Sequence, residues 1–229
     1  MIRLKNITTE LKGAIFDLDG TLVNTLDDIA DTMNSILQKN GLPTHPTEKY
    51  KYLVGEGIFN LTKRVLPEDH WSEENAMMFV QEFRALYDIT WHDKSLPYEG
   101  IIDMLKNLSQ MGIKLGVLSN KPDSFVQKII AWFFPQIPFT SVYGEVKDVP
   151  AKPDPELAGR VADAMGLNPQ EIAMIGDSGI DIRTAVNAGM VGIGVIWGFR
   201  PFEELKETGA SIVVNTPAEI TTLFQNINE

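Results

Sequence analysis

The chain has 229 residues, is 44% hydrophobic, carries a formal net charge of -11, and contains three histidines and no cysteine. Such a length allows one core plus a sizeable insert, or two small domains. The acidic balance argues against a nucleic-acid backbone or an anionic membrane as the main partner, and the absence of cysteine excludes disulfides, thiolate metal sites and a cysteinyl-phosphate intermediate.

Met1 to Lys12 has no apolar h-region and reads as a short leading segment rather than a signal peptide. No apolar run reaches the roughly 18 residues that a membrane-spanning helix needs, so a cytoplasmic location is expected. The first strand is predicted over Gly13–Leu18, where the apolar run Gly13-Ala14-Ile15-Phe16 meets Asp17-Leu18-Asp19-Gly20-Thr21. Side chains alternate along a strand, so Asp17 and Asp19 leave an ideal strand on the same side. Two like charges that close call for a cation or a shared proton. Mg²⁺ takes hard oxygen ligands and usually keeps waters and substrate phosphate in its shell. The plainer alternative is a solvated strand end followed by a glycine turn.

From about Asn24 to Pro97 the pattern is helical. Thr25-Leu26-Asp27-Asp28 reads as a capped helix start whose apolar face continues through Ile29, Met33, Ile36 and Leu37 to a stop at Gly41-Leu42-Pro43. Gly55-Glu56-Gly57 opens a second helix to about Val65. Ser72 with Glu73 and Glu74 opens a third, striped by Phe79, Phe83 and Leu86 or Tyr87, with Met77 and Met78 assigned to its core. No strand is expected in this segment. It reads as an all-helical insert with a small core of its own, joined by linkers near Val23–Thr25 and Ser95–Gly100. His45, His70 and His92 all fall within it, so a histidine nucleophile at the main strand ends is not expected.

Beyond the insert, strands are predicted over Ile113–Ser119, Thr140–Tyr143, Ile172–Gly176 and Val191–Trp197, with a weaker one at Ser211–Val214. The strongest are nearly continuous in apolar residues, as parallel strands buried on both faces are. Helical faces between them are Ile102, Leu105 and Leu108, then Phe125, Ile129 and Trp132, then Leu157, Val161 and Met165. Asp154-Pro155 and Asn168-Pro169 each offer an N-cap followed by proline, and Glu171 completes a capping box. The alternation predicts an α/β fold. A doubly wound parallel sheet (Rossmann-like) forms the core from residues 1–23 and 97–229, with an inserted all-helical cap over residues 24–96. Ligands then bind at the carboxyl ends of the strands.

Candidate chemistry gathers at those ends. Ser119 and Asn120 close the second strand, where a hydroxyl and following N–H groups suit a phosphate oxygen and a helix starting near Pro122 adds its positive end. Gly20 and Thr21 offer backbone donors. Lys152 sits in a turn between Ala151 and Pro153, Asp177 follows Gly176 at a strand end, and Asp181 lies one helical turn later. In the insert, Glu56 lies on a loop able to reach the site, and Arg64 could pair bidentately with a substrate carboxylate or lie on a surface helix. Trp197-Gly198-Phe199-Arg200 either borders the site or packs.

Asp17-Leu18-Asp19-Gly20-Thr21, Leu118-Ser119-Asn120-Lys121-Pro122, Lys152-Pro153-Asp154-Pro155 and Ile175-Gly176-Asp177-Ser178-Gly179-Ile180-Asp181 stand in the order of the signatures of the haloacid dehalogenase-like superfamily. The chain resembles its phosphate-transferring branch from about residue 13 to about residue 200. The second and third stretches, with Val54-Gly55-Glu56-Gly57 in the insert, are most similar to the phosphoglycolate phosphatase group. Asn24 stands where an acidic residue is common in that family.

The resemblance implies Asp17 as a nucleophile forming an aspartyl-phosphate, and Asp19 as general acid and then base. It also implies Mg²⁺ held by Asp17, Asp177 and the main-chain carbonyl of Asp19. Lys152 would screen Asp17 from the incoming phosphate, Asp181 would act through water or by orienting Lys152, and the cap would close over substrate. Asp19 separates the chain from the dehalogenating branch, which lacks a carboxylate there. The expected function is a Mg²⁺-dependent phosphatase for a small phosphorylated metabolite, 2-phosphoglycolate foremost. Alternatives are a phosphosugar mutase, and pyrophosphate or a nucleoside monophosphate as substrate. A catalytically silent phosphate-binding module is the alternative of another class. No nucleic acid or membrane is expected as partner, a homodimer is left open, and the insert could serve only as a dimerisation surface.

Overall fold

The computed structural model describes residues 9–228, so most of the leading segment Met1 to Lys12 lies outside the described residues. In chain order, β1 (Gly13–Phe16) is followed by β2 (Val23–Asn24), the helices α1 (Leu26–Lys39), α2 (Thr47–Leu53), α3 (Gly57–Val65) and α4 (Glu73–Thr90), and β3 (Leu96–Pro97). Then come α5 (Ile101–Gln110), β4 (Lys114–Pro122), α6 (Asp123–Phe133), β5 (Phe139–Glu145), α7 (Glu156–Met165) and β6 (Ile172–Gly176). The remainder is α8 (Gly179–Ala188), β7 (Val191–Val195), α9 (Phe202–Glu207), β8 (Ile212–Val214) and α10 (Pro217–Asn228).

The main sheet has the order β5-β4-β1-β6-β7-β8, with every pairing parallel. Side-chain alternation divides its two cores. Ala14 and Phe16 pack with Leu105, Ile129 and Phe224 of α5, α6 and α10, whereas Ile15 packs with Val161 and Ala185 of α7 and α8. Each fully buried side chain of this size contributes about 1.5–3 kcal/mol. Strand order reverses about the central β1, which opens a crevice at the carboxyl ends of β1, β4 and β6.

The strand contrary to expectation is the pair β2 and β3, antiparallel with Val23 opposite Pro97 and Asn24 opposite Leu96. Two-residue strands leave no periodicity to read, yet this pair joins both linkers of the insert. Asp28, buried in α1, fastens the return linker by accepting from the Ser95 N–H at 2.8 Å, the Ser95 hydroxyl at 2.6 Å and the Lys94 N–H at 3.0 Å. Helix α2 was not expected either; it buries only Tyr50 and Leu53, too few apolar positions to show a face.

Several side chains lie elsewhere than the periodicity suggests. Helix α5 buries Ile101, Met104, Leu105 and Leu108 while Ile102 is exposed, and α6 buries Phe125, Val126, Ile129 and Ile130 while Trp132 is exposed. Both stripes are turned by about one position, within the width of an amphipathic face. In α4 the Ser72 hydroxyl caps the Asn75 N–H at 3.1 Å, and Phe79, Phe83 and Tyr87 are buried as expected. Met77 and Met78 are exposed, not core. The insert has no separate core, because Met33, Leu61, Phe83 and Tyr87 belong to the same apolar cluster as Phe16 and Phe125. No helix of the described residues is long and apolar enough to cross a membrane.

Candidate active site

Strand β1 delivers Asp17 to the crevice with its N–H bonded to the Ile175 carbonyl at 2.9 Å. The chain then turns at Gly20, where φ is 86°, a conformation glycine adopts without a Cβ penalty. A Cβ there would also lie 2.5 Å from Asp177 Oδ2. This tight turn engages the donors expected to reach phosphate: Gly20 N–H bonds the Val23 carbonyl at 2.9 Å and Thr21 N–H the Leu18 carbonyl at 3.3 Å. Instead, Thr21 supports Asp177, donating its hydroxyl to Oδ1 at 3.2 Å.

Asp177 follows β6 and is held from the opposite side by the Phe199 N–H, which donates to Oδ2 at 2.7 Å. The segment Trp197-Gly198-Phe199-Arg200 thus crosses directly over Asp177, and the Trp197 indole N–H bonds the Thr21 carbonyl at 3.0 Å. Asp181, in the first turn of α8, accepts from the Ser178 N–H at 3.1 Å and the Ser178 hydroxyl at 2.7 Å. Its other oxygen faces Lys152, whose Nζ is 2.6 Å from Asp181 Oδ1 and 2.9 Å from Asp17 Oδ1. The orienting role expected of Asp181 toward Lys152 therefore has a direct geometric basis.

Asn120 braces that lysine through its backbone. Its Oδ1 accepts the Lys152 N–H at 2.8 Å, and its Nδ2 donates to the carbonyls of Lys152 and Gly55, both at 3.0 Å. The Asn120 side-chain amide thus holds Lys152 and the insert loop. The Ser119 hydroxyl accepts the Lys121 N–H at 3.3 Å, which leaves its own proton for a ligand.

Asp19 is paired with a different lysine. Lys121 Nζ lies 3.0 and 3.2 Å from its two oxygens, and Thr25, expected to cap α1, instead donates its hydroxyl to Asp19 Oδ1 at 2.7 Å. Lys121 also donates to the Tyr87 hydroxyl at 3.0 Å, and the Tyr87 ring packs on Phe83 and Phe125 at centroid distances of 5.0 and 5.1 Å. The sequence reading missed Lys121 and Tyr87. Lys121 stood in a recognised stretch, but only the continuation of β4 to Pro122 turns it toward Asp19.

Asp17, Asp177 and Asp181 each bring an oxygen within 4.8 Å of the others. Burial pushes the Asp17 carboxyl up to about 7 despite the opposing charge of Lys152, with Asp181 and Asp19 adding to the rise. Burial, then the charges of Asp181 and Asp17, raises Asp177 well above the carboxylate range. Asp17 Oδ1, 2.9 Å from Lys152 Nζ, is off hydrogen-bond alignment and has no hydrogen-bond partner. Burial works to lower Lys152, but Asp17 and Asp181 hold it above the usual lysine value. Buried hard oxygens in excess of the nearby ammonium groups fit a divalent cation. The Asp19 carboxylate stands outside this cluster.

Above the carboxylates lies a cleft of about 670 Å³, counting the part open to solvent. Asp17, Asp19, Ser119 and Asp177 line its base, while Ile29, Ile58, Leu61, Phe83 and Phe125 form apolar walls. Glu56 and Arg64 do not line it. Arg64 Nη2 pairs with Glu56 Oε2 at 2.5 Å, and Nη1 donates to the Leu53 carbonyl at 3.2 Å. The cations that do line the cleft are Lys121 and Arg200.

The sequence pattern described as haloacid dehalogenase-like hydrolase matches residues 14–195. A phosphoglycolate phosphatase of Psychrobacter arcticus is 32% identical over 199 residues, covering 84% of this chain and 86% of that protein. One of Caulobacter vibrioides is 33% identical over 214 residues, covering 90% of this chain and 89% of that protein. The crystal structure of a predicted phosphoglycolate phosphatase from Haemophilus somnus superposes with a TM-score of 0.85 at 28% identity, covering 94% of this chain and 99% of that one. The matched span runs from β1 to β7 and contains every strand-end carboxylate just described, and on this evidence the chain belongs to the haloacid dehalogenase-like hydrolases.

Proposed function

We propose that this hydrolase is a Mg²⁺-dependent phosphatase that cleaves a small phosphomonoester, 2-phosphoglycolate foremost, through a phosphoryl group carried on Asp17. The observation that carries the reading is the placement of Asp17. Its carboxylate lies at the base of the cleft, beside Lys152 and within the cluster it forms with Asp177 and Asp181. Residues 1–23 and 97–229 form the catalytic core on this reading, and residues 24–96 the cap that excludes water from the reacting atoms.

Asp17 and Asp177, with the main-chain carbonyl of Asp19, would hold Mg²⁺, which would supply positive charge to the phosphoryl group. An Asp17 oxygen attacks phosphorus as the bond to the leaving oxygen breaks, and the Asp19 carboxyl gives that oxygen its proton. The Asp19 carboxylate then takes a proton from water as the water oxygen attacks phosphorus. The bond to Asp17 breaks and inorganic phosphate leaves. Lys152, fixed by Asp181 and Asn120, neutralises Asp17 as the dianionic phosphoryl group of the substrate arrives, and the Ser119 hydroxyl donates to a phosphate oxygen. The partner is a small phosphorylated metabolite in the cytoplasm, with neither nucleic acid nor membrane involved.

Phosphate release tests this directly, measured with Mg²⁺ and with EDTA on 2-phosphoglycolate, sugar phosphates, nucleoside monophosphates and pyrophosphate. Metal-dependent release that peaks on 2-phosphoglycolate is expected. No release on any of them from folded protein would turn the reading toward a mutase or a silent binding module.

A further inference from the structure

We infer that Arg200 binds a second anionic group on the substrate, so that the site selects phosphoesters whose leaving group carries an oxyanion. This rests on the phosphatase reading and extends it to a specificity residue in the core rather than in the helical insert. The walls of the cleft are apolar, and its lining cations are Lys121 and Arg200. Lys121 is already occupied by the Asp19 carboxylate and the Tyr87 hydroxyl.

Arg200 is not filled in this way. Its side chain is 10% exposed; it forms a long ion pair with Glu204, Nε 3.8 Å from Oε2 and beyond hydrogen-bond reach, and its guanidinium lies over the Tyr52 ring at 5.2 Å. Nη2 donates to the Val54 carbonyl at 3.1 Å and only weakly to the Tyr52 carbonyl at 3.5 Å. The guanidinium carries five N–H donors in a rigid fork, so N–H groups not engaged by these carbonyls remain open to a ligand. A guanidinium that lines a largely apolar cleft with N–H groups to spare favours an anionic ligand over a neutral one. Its place favours a short ligand: the preceding Phe199 N–H bonds Asp177. A phosphoryl group at Asp17 and an oxyanion on a short stem can then engage one site together.

Arg200 also pins the insert loop through Val54, and that purely structural role would affect every substrate alike. The discriminating quantity is therefore a ratio. Phosphate release would be measured for 2-phosphoglycolate, pyrophosphate and the neutral-tailed ethyl phosphate with wild type, Arg200→Gln and Arg200→Lys. Glutamine can still donate to the Val54 carbonyl. The preference in kcat/KM for 2-phosphoglycolate over ethyl phosphate should fall about tenfold to a hundredfold in Arg200→Gln, the worth of a charged hydrogen bond. Arg200→Lys should recover part of it. An Arg200-dependent preference that is instead largest for pyrophosphate identifies the second anion as phosphate and also supports the inference. A ratio unaltered by Arg200→Gln, or no wild-type preference for either anionic ester, overturns it. If wild type releases no phosphate at all, the phosphatase reading fails alone. The same ratio, taken from calorimetric Kd values of the three ligands, then decides the role of Arg200.

Discussion

The ammonium of Lys121 sits 3.0 and 3.2 Å from the two carboxylate oxygens of Asp19, and both residues line the cleft. Asp19 thereby has one orientation, and Tyr87 ties the same ammonium to α4 of the insert. Burial works to lower Lys121, but the Asp19 charge and then Tyr87 hold it above the usual lysine value, while the Tyr87 phenol is pushed up to about 12, chiefly by burial.

Removing the ammonium should therefore cost both stability and rate. Lys121→Met leaves the half-buried Asp19 carboxylate without its counter-ion, a change worth about 1.5–3 kcal/mol, the range for hydrogen bonds to charged groups. Guanidinium denaturation should show that loss, and kcat should fall at least about tenfold with Asp19 no longer held. Tyr87→Phe keeps the ion pair and should cost about 1 kcal/mol.

Metal-free protein should weaken as the pH rises. Burial is the main reason that Asp17 and Asp177 bind their protons more tightly folded than unfolded. For Asp17 the stabilisation is full below the unfolded value of 3.8 and is lost as pH rises through about 7. The Tm difference between Mg²⁺ and EDTA should thus widen from about pH 4 to about pH 7. Scanning calorimetry across that range checks it; a constant difference would separate these carboxyls from the metal.

Gly198 has no room for a side chain. An added Cβ would lie 2.3 Å from both Asp177 Cβ and the Gly20 carbonyl oxygen. Gly198→Ala must displace the segment that donates to Asp177, so about 1–3 kcal/mol of stability should be lost. Mg²⁺ titration should show weaker binding in the variant that still folds.

Arg64→Ala should be nearly silent. Arg64 is paired with Glu56 outside the cleft lining, and a partly exposed pair is worth about 0–1 kcal/mol. Its KM for 2-phosphoglycolate, set against that for ethyl phosphate, should match wild type.

What the sequence disclosed follows from the length of each signal. Ile172–Gly176 is read with its observed bounds because a buried parallel strand is apolar throughout. Asp17, Lys152, Asp177 and Asp181 meet at the strand ends, as the resemblance implied. Arg200 stood in a stretch that either borders the site or packs, and only the fold puts it in one cleft lining with residues as distant in sequence as Ile58 and Phe125. Arg64 drew attention as a cation on a cap helix, yet Glu56 lay within reach to neutralise it. Asn120 stood beside Ser119 in a stretch expected to bind phosphate, and only the fold reveals that its side-chain amide holds Lys152 and Gly55.

The central claim, that Asp17 itself carries the phosphoryl group, is tested most directly by acid-quenching the Mg²⁺-loaded enzyme during turnover of 2-phosphoglycolate and locating phosphoryl groups by peptide mass spectrometry. The account predicts a phosphorylated peptide with the modification on Asp17, absent from Asp17→Asn, whose phosphate release should fall by at least about a thousandfold. Sustained phosphate release from Asp17→Asn, with no modification on Asp17 in wild type, would contradict it.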